Sequence, residues 1–214
     1  MFSVYRKVVI ITGTRTGIGK ALAKGFTTAG AIVYPIERKT CDIFKQEERK
    51  KFIENIVKEH KKIDVLINNA GVTEGKVMET NLLIIKDLCK EVSEYMDGGS
   101  IINITSIASL FGMGGNLEYG MAKGGLRILT KCLAIDLSPI RVNNLCPGYV
   151  RTKMTEKSYN DKLKRFEREQ RIIMKRFADP EELVGPALFL ASDASSYITG
   201  TDIIVDGGFS AKGI

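Results

Sequence analysis

RKVVIITGTRTGIGKALAKGF, residues 6–26, decides the fold. Its apolar run at 8–11 is the kind of stretch that a strand buried on both faces requires. The run stops at a glycine, and a helical pattern begins near residue 17. Gly13 permits a tight turn. Gly17 lets the backbone come close to a pyrophosphate, and Gly19 lets the helix pack closely on the strand. The helix N-terminus then faces the anion with unpaired N–H groups. No Gly-Lys-Ser/Thr follows, so a P-loop kinase or GTPase does not fit. Arg15, Thr16 and Ile18 share the loop with the three glycines, and all six are candidates for contact with a nucleotide.

Outward from this loop, strands and helices alternate. A helix is expected over about 17–29, then a strand in AIVYPIE (31–37), where Pro35 marks an edge or an end. A charged amphipathic helix covers 45–60. IDVLINNAG (63–71) is the next strand, 79–96 a helix, SIINITS (100–106) a strand, and 118–137 a long helix. RVNNLCPG (141–148) is another strand. A basic segment at 153–176 precedes Asp179-Pro180, a cap and helix start. TDIIVDGG (201–208) is the last strand. Such alternation defines a doubly wound α/β fold, a parallel sheet between two helical layers, as one domain over 1–214.

The composition narrows the classes. The chain has 214 residues, 44% of them hydrophobic, enough for one sizeable core. No apolar run nears the ~20 residues of a membrane span. MFSVYRKVVIITG enters a strand directly, without the apolar segment and cleavage site of a secretory signal. Four scattered cysteines and one histidine argue against a zinc cluster and fit reduced thiols in a cytoplasmic protein. The formal charge of +7 comes from lysines and arginines interleaved with acids, which is not the footprint of a nucleic-acid binder.

Three further stretches carry chemistry. NNAG (68–71) ends a central strand on the side where parallel sheets bind ligands, which points to Asn69, Ala70 and Gly71. Ser106 ends the next strand. Tyr119 and Lys123, four residues apart on a helix, share one face. A cationic lysine beside a tyrosine favours the phenolate and lowers the tyrosine pKa, and a serine hydroxyl can hold a substrate oxygen. The set suits proton exchange with a hydroxyl or carbonyl while hydride moves between carbon and a nicotinamide. Gly120, Gly124 and Gly125 in the same helix suggest close approach of a ligand.

These residues resemble the classical short-chain dehydrogenase/reductase family. TGTRTGIG (12–19), CDI (41–43), NNAG (68–71), ITS (104–106), YGMAK (119–123), CPGYVRTKM (146–154) and ITGTDIIVDGG (198–208) carry the resemblance over essentially the whole chain. It implies a Rossmann-type fold and a hydride transfer between NAD or NADP and a secondary alcohol or ketone. Tyr119 would be the general acid/base, Lys123 would bind the nicotinamide ribose, Ser106 would orient the substrate oxygen, and Asn81 would complete a proton relay. Asp42 and Ile43 would lie near the adenine. Pro147, Gly148, Val150 and Thr152 would contact the nicotinamide side. A catalytically inactive relative that only binds nucleotide or a partner is the alternative, and the shortened loops are its only support.

The chain departs from the family pattern in length. Nine residues separate Gly71 from Asn81, DLSPIRV is clipped, and PIERKTCDI (35–43) passes from one strand toward the next with no room for a usual strand and helix. Parallel strands need a crossover of a dozen or more residues, so CDI cannot be a strand parallel to the one before it. The expectation is a six-stranded sheet lacking the family's third strand and the helix before it, in the order 2-1-4-5-6-7 by the family's numbering. In the same stretch Glu37 stands where an acid binds the adenine ribose of NAD, and Arg38 where NADP enzymes hold a 2′-phosphate. Glu37 favours NAD, with NADP the alternative.

By the same resemblance, residues of about 153–178 form a lid over the substrate. It is rich in Lys157, Lys162, Lys164, Arg165, Arg168, Arg171, Lys175 and Arg176, with Glu156, Glu167 and Glu169 among them. The expected partner is a small alcohol or carbonyl compound, with an anionic group if the basic residues face the pocket. Met113 and Leu117 should border it. Family members pair their long apolar helices across a two-fold axis, so a homodimer or homotetramer is expected. No metal is implied.

Overall fold

The computed structural model describes residues 2–112 and 114–212. Six parallel strands form one sheet: β1 (Val8–Thr12), β2 (Ile32–Ile36), β3 (Val65–Asn68), β4 (Ser100–Ile104), β5 (Arg141–Pro147) and β6 (Asp202–Val205), in the order β2-β1-β3-β4-β5-β6. This is the order expected from PIERKTCDI. Pro35 lies in the edge strand β2, paired with Ile11, where its missing N–H leaves no ladder partner wanting. Among the described residues no helix is long and apolar enough to cross a membrane.

The helices divide between the two faces. On one, α2 (Gln46–His60), α3 (Ile84–Ser93) and α4 (Leu117–Asp136) bury Ile53, Ile56, Leu88, Val92, Leu126 and Leu133 against the sheet. On the other, α1 (Gly17–Thr28) and α7 (Val184–Ala191) bury Leu22, Phe26, Ala187 and Leu190. Between β5 and α7 lie α5 (Glu156–Asn160) and α6 (Lys162–Arg171), in the expected lid region, with no buried residue in either.

A single helix, α2, carries the chain from β2 over β1 to β3. The entry is a tight turn: Thr40 and Cys41 both donate their N–H to the Glu37 carbonyl at 2.9 Å, and Cys41 is buried in the core. Arg49 holds the shortcut. It is 5% exposed, donates from Nη1 to the Ile43 carbonyl at 2.6 Å, and grips Glu91 of α3 with Nε and Nη2 at 2.8 and 2.6 Å. One guanidinium thus ties the turn, α2 and α3 together, and a fork with two parallel bonds is the strong form of an ion pair.

A polar row crosses the sheet beneath α4. Asn68, Asn103, Asn144 and Asp202 are register partners on β3, β4, β5 and β6. Asn68 Nδ2 donates to Asn103 Oδ1 at 2.8 Å, and Asn103 Nδ2 donates to Thr130 Oγ1 at 2.8 Å. Thr130, on α4, donates to Asn144 Oδ1 at 2.6 Å. Asn144 Nδ2 donates to Asp202 Oδ1 at 2.8 Å, and Arg127 of α4 closes on Asp202 Oδ2 at 2.6 Å. Buried polar groups are costly unless paired, so this row fixes where α4 sits along the sheet.

Two expectations from sequence change. The helix expected over 79–96 begins as a π turn, Glu79–Leu83, before α3. Gly125 does not open space for a ligand: a Cβ there would lie 2.9 Å from Leu82 Cδ2, so the glycine lets α4 pack on the π turn. Arg49→Met leaves Glu91 partly buried without its partner, and is expected to cost about 3–5 kcal/mol in urea unfolding. Arg49→Met with Glu91→Leu should recover most of that loss, and a double variant as unstable as the single one would show that the ion pair is not the clamp.

Candidate active site

The carboxyl ends of β1, β3, β4 and β5 open into one cleft of about 1000 Å³. Its first wall is the loop between β1 and α1. Gly13 and Gly17 adopt φ of 71° and 56°, which side chains rarely tolerate. A Cβ on Gly19 would sit 2.2 Å from the Gly13 carbonyl oxygen. The α1 N-cap residue, Thr16, makes no capping side-chain bond, so the helix end stays open toward the cleft. This cradle, in a cleft of that size, fits a dinucleotide with its pyrophosphate at the helix N-terminus.

Hydrogen bonds from β3 shape that loop. Thr12 Oγ1 accepts from the N–H of Asn69 at 3.0 Å and of Ala70 at 2.8 Å. Asn69 Nδ2 donates to the Thr12 and Gly13 carbonyls at 2.9 and 3.0 Å. At the far end Thr14 donates to Glu37 Oε1 at 2.6 Å, which orients the Glu37 carboxylate beside Arg38 and Lys39 on the same wall.

Most residues expected at the nucleotide border the cleft: Gly13, Arg15, Thr16, Gly17, Ile18, Gly19, Glu37, Arg38, Asn69, Ala70, Gly71, Pro147, Gly148, Val150 and Thr152. Asp42 and Ile43 do not. Asp42 Oδ1 accepts from Phe44 N at 3.1 Å and its N–H donates to Glu48 at 2.9 Å, so it serves the entry to α2. Ile43 packs against the core. Sequence reading did not single out Thr12, Thr14, Lys39 or Tyr149. The partners of the two threonines, Asn69, Ala70 and Glu37, are distant in the chain, so no local pattern marks them.

Ser106, Tyr119 and Lys123 border the same cleft. Asn116 caps α4, accepting from the Tyr119 N–H at 3.0 Å, and donates to the Thr73 carbonyl at 2.8 Å. It therefore links the tyrosine's helix turn to the shortened loop after β3. Lys123 is 4% exposed and its Nζ donates to the Ile104 carbonyl at 2.7 Å. That ammonium stands 5.8 Å from the Tyr119 ring centroid. Burial pushes the Lys123 pKa down to about 8. Burial also raises the Tyr119 phenol, while the Ser106 hydroxyl draws it partly back. The sequence expectation of a tyrosine lowered by its lysine is therefore reversed: desolvation is the largest influence on the phenol, and Lys123 is not among its causes.

Asn81 is fully buried in the π turn and does not reach the cleft wall. Its carboxamide closes on Val72, accepting from the N–H at 3.0 Å and donating to the carbonyl at 2.7 Å. A Cβ on Gly71 would lie 2.7 Å from Asn81 Oδ1 and 3.6 Å from Lys123 Nζ, so Asn81 backs the wall beside the lysine. Leu117 is 79% exposed and does not border the cleft. Met113 lies outside the described residues.

A six-stranded doubly wound sheet with this cleft at its carboxyl rim defines a dinucleotide-binding protein. The family model described as enoyl-(acyl carrier protein) reductase matches residues 35–210. The 3-oxoacyl-[acyl-carrier-protein] reductase FabG of Thermotoga maritima is 35% identical over 243 aligned positions, covering 94% of this chain and 97% of the relative. The NAD-dependent glycerol dehydrogenase of Listeria innocua is 32% identical, covering 99% and 96%. The structure of a gluconate 5-dehydrogenase from Burkholderia cenocepacia in complex with NADP and tartrate superposes with a TM-score of 0.91, at 26% identity and 99% and 98% coverage. The chain belongs to the short-chain dehydrogenase/reductase family, and is an oxidoreductase of the NAD(P)-dependent kind.

The Lys123 shift has a signed consequence. Its folded pKa, about 8, lies below its ordinary value of 10.5. Between the two the unfolded chain holds the proton and the folded one does not, so stability gains with rising pH. From pH 7.5 to 10 the wild type should gain about 2 to 3 kcal/mol relative to Lys123→Met in urea unfolding. A pH-independent difference between the two would contradict the burial of that ammonium.

Proposed function

We propose that the protein transfers a hydride between NAD and a secondary alcohol or ketone, with Tyr119 as general acid/base. The observation that carries this reading is the convergence of Ser106, Tyr119 and Lys123 on the cleft that the glycine-rich loop opens into. The glycine-rich loop, Asn69 to Gly71, and Pro147 to Thr152 would hold the dinucleotide. When bound, its nicotinamide supplies or accepts the hydride. Ser106 donates a hydrogen bond to the substrate oxygen and sets it against the phenol. In the reducing direction Tyr119 gives its proton to that oxygen as the carbonyl carbon becomes an alcohol carbon. In the oxidising direction it takes the hydroxyl proton back. Lys123 steadies the phenolate and binds the nicotinamide ribose.

Glu37 supports NAD. Its carboxylate is fixed by Thr14 on the adenine side of the cleft, where it would accept from ribose hydroxyls and oppose a 2′-phosphate. Arg15, Arg38 and Lys39 stand close by, and are the residues that an NADP enzyme would use. A homodimer or homotetramer goes with the same reading, because Met121, Ile128 and Ile135 stand exposed along α4 at seven-residue intervals. Against the inactive alternative, the shortened loops leave Ser106, Tyr119 and Lys123 on one cleft.

Two measurements test the reading. Against a panel of alcohols and ketones followed by nicotinamide absorbance, Tyr119→Phe should lower kcat by about 10² to 10⁴-fold. A loss of less than a few-fold would remove Tyr119 from the proton transfer. Glu37→Ala should shift the ratio of kcat/KM for NAD over NADP toward NADP by about tenfold or more. An unchanged ratio would leave coenzyme choice to other residues.

A further inference from the structure

The lid carries many cations, and several in and beside it are neutralised locally. Arg151 pairs with Asp179, Lys164 with Asp161, Arg165 with Glu169, and Arg176 with Glu182. Among the lid cations outside these pairs, Lys153, Lys157 and Arg168 stand apart by their position. All three border the cleft, and none forms an ion pair among the described residues. Among the described residues that border the cleft, Glu37 alone carries a carboxylate, and Thr14 already engages it.

Arg168 is not a loose surface cation. It is half-buried, and its guanidinium lies 4.9 Å from the centroid of the Tyr149 ring. Tyr149 is itself wedged between Phe177 and Phe209, at ring-centroid distances of 5.2 and 5.8 Å. Such stacking holds a guanidinium in place and leaves its N–H edge free for hydrogen bonding. A fixed, partly desolvated cation lacking a protein counter-charge is stabilised when an anion arrives. Lys157 and Lys153 raise the positive potential at the mouth of the cleft.

We infer that the substrate carries an anionic group, a carboxylate or a phosphate, seated on Arg168 with Lys157 beside it. The inference rests on the oxidoreductase reading above and adds the class of substrate to it. Arg168 is a specificity residue in this account, and the reacting oxygen stays with Ser106 and Tyr119. The dinucleotide's own pyrophosphate would sit at the α1 N-terminus.

The test is calorimetric titration of the protein saturated with NAD, using matched pairs: acetoacetate against methyl acetoacetate, and dihydroxyacetone phosphate against dihydroxyacetone. In at least one pair the charged member should bind about tenfold tighter or more, as a charge-assisted hydrogen bond requires, and the pair showing it identifies carboxylate or phosphate. Arg168→Gln should erase most of that preference, and added salt should narrow it. Equal affinities within both pairs, affinities too weak to measure throughout, or a preference that survives Arg168→Gln would overturn the inference. Failure of the oxidoreductase reading would show separately, as no coenzyme turnover with any carbonyl while the binding preference persists.

Discussion

The contact on which the cleft depends is the clasp between Thr12 and Asn69. Two N–H groups at the end of β3 converge on the Thr12 hydroxyl, and the Asn69 carboxamide returns two bonds to the carbonyls at the end of β1. These are four hydrogen bonds between adjacent strand ends, at the point where both chains leave the sheet and their backbone groups lose their ladder partners. The clasp sets the start of the glycine-rich loop. Gly19 then packs so closely under Gly13 that no side chain fits. The open helix N-terminus and the Glu37 wall both follow from where that loop is placed.

The shortened sheet keeps this arrangement because what is missing lies beyond the cleft. β2 remains as the edge, and its carboxyl end still presents Glu37. The lost strand would have lain outside it. Arg49 takes over part of the bracing, drawing the turn, α2 and α3 onto one guanidinium. The relatives' alignment fits this picture: 243 aligned positions exceed the 214 residues of the chain, so the relative carries segments that this chain lacks. On the other side of the sheet's centre, the polar row from Asn68 to Asp202 locks α4 in place, and with it Tyr119 and Lys123.

Much of this was legible in the sequence, for reasons that are local. VVIITG, VLINNAG and SIINITS are short apolar runs ending in small or polar residues, and such runs report buried parallel strands directly. The missing crossover was a matter of chain length: too few residues separate Glu37 from Cys41 for another outcome. What stayed hidden depends on distance or depth. Arg49 and Glu91 are far apart in the chain, and each reads as an ordinary residue of a charged helix face. Tyr119 and Lys123 share a face by spacing, yet spacing says nothing of burial, and burial decides their pKa. The π turn at Asn81 adds a residue to a helical repeat, which a periodicity reading averages away. Asp42 matches the family's letters, but the shortcut turns it to cap its own loop.

The central claim is that a sheet reduced to six strands still forms a complete coenzyme cleft. Fluorescence titration of the purified protein with reduced NAD tests this without any knowledge of the substrate. The account predicts saturable binding of one coenzyme per chain, lost in Gly19→Ala, whose Cβ would drive the loop off the Gly13 carbonyl and the Asn69 carboxamide. Absence of saturable binding by the wild-type protein, with either reduced coenzyme, would contradict it.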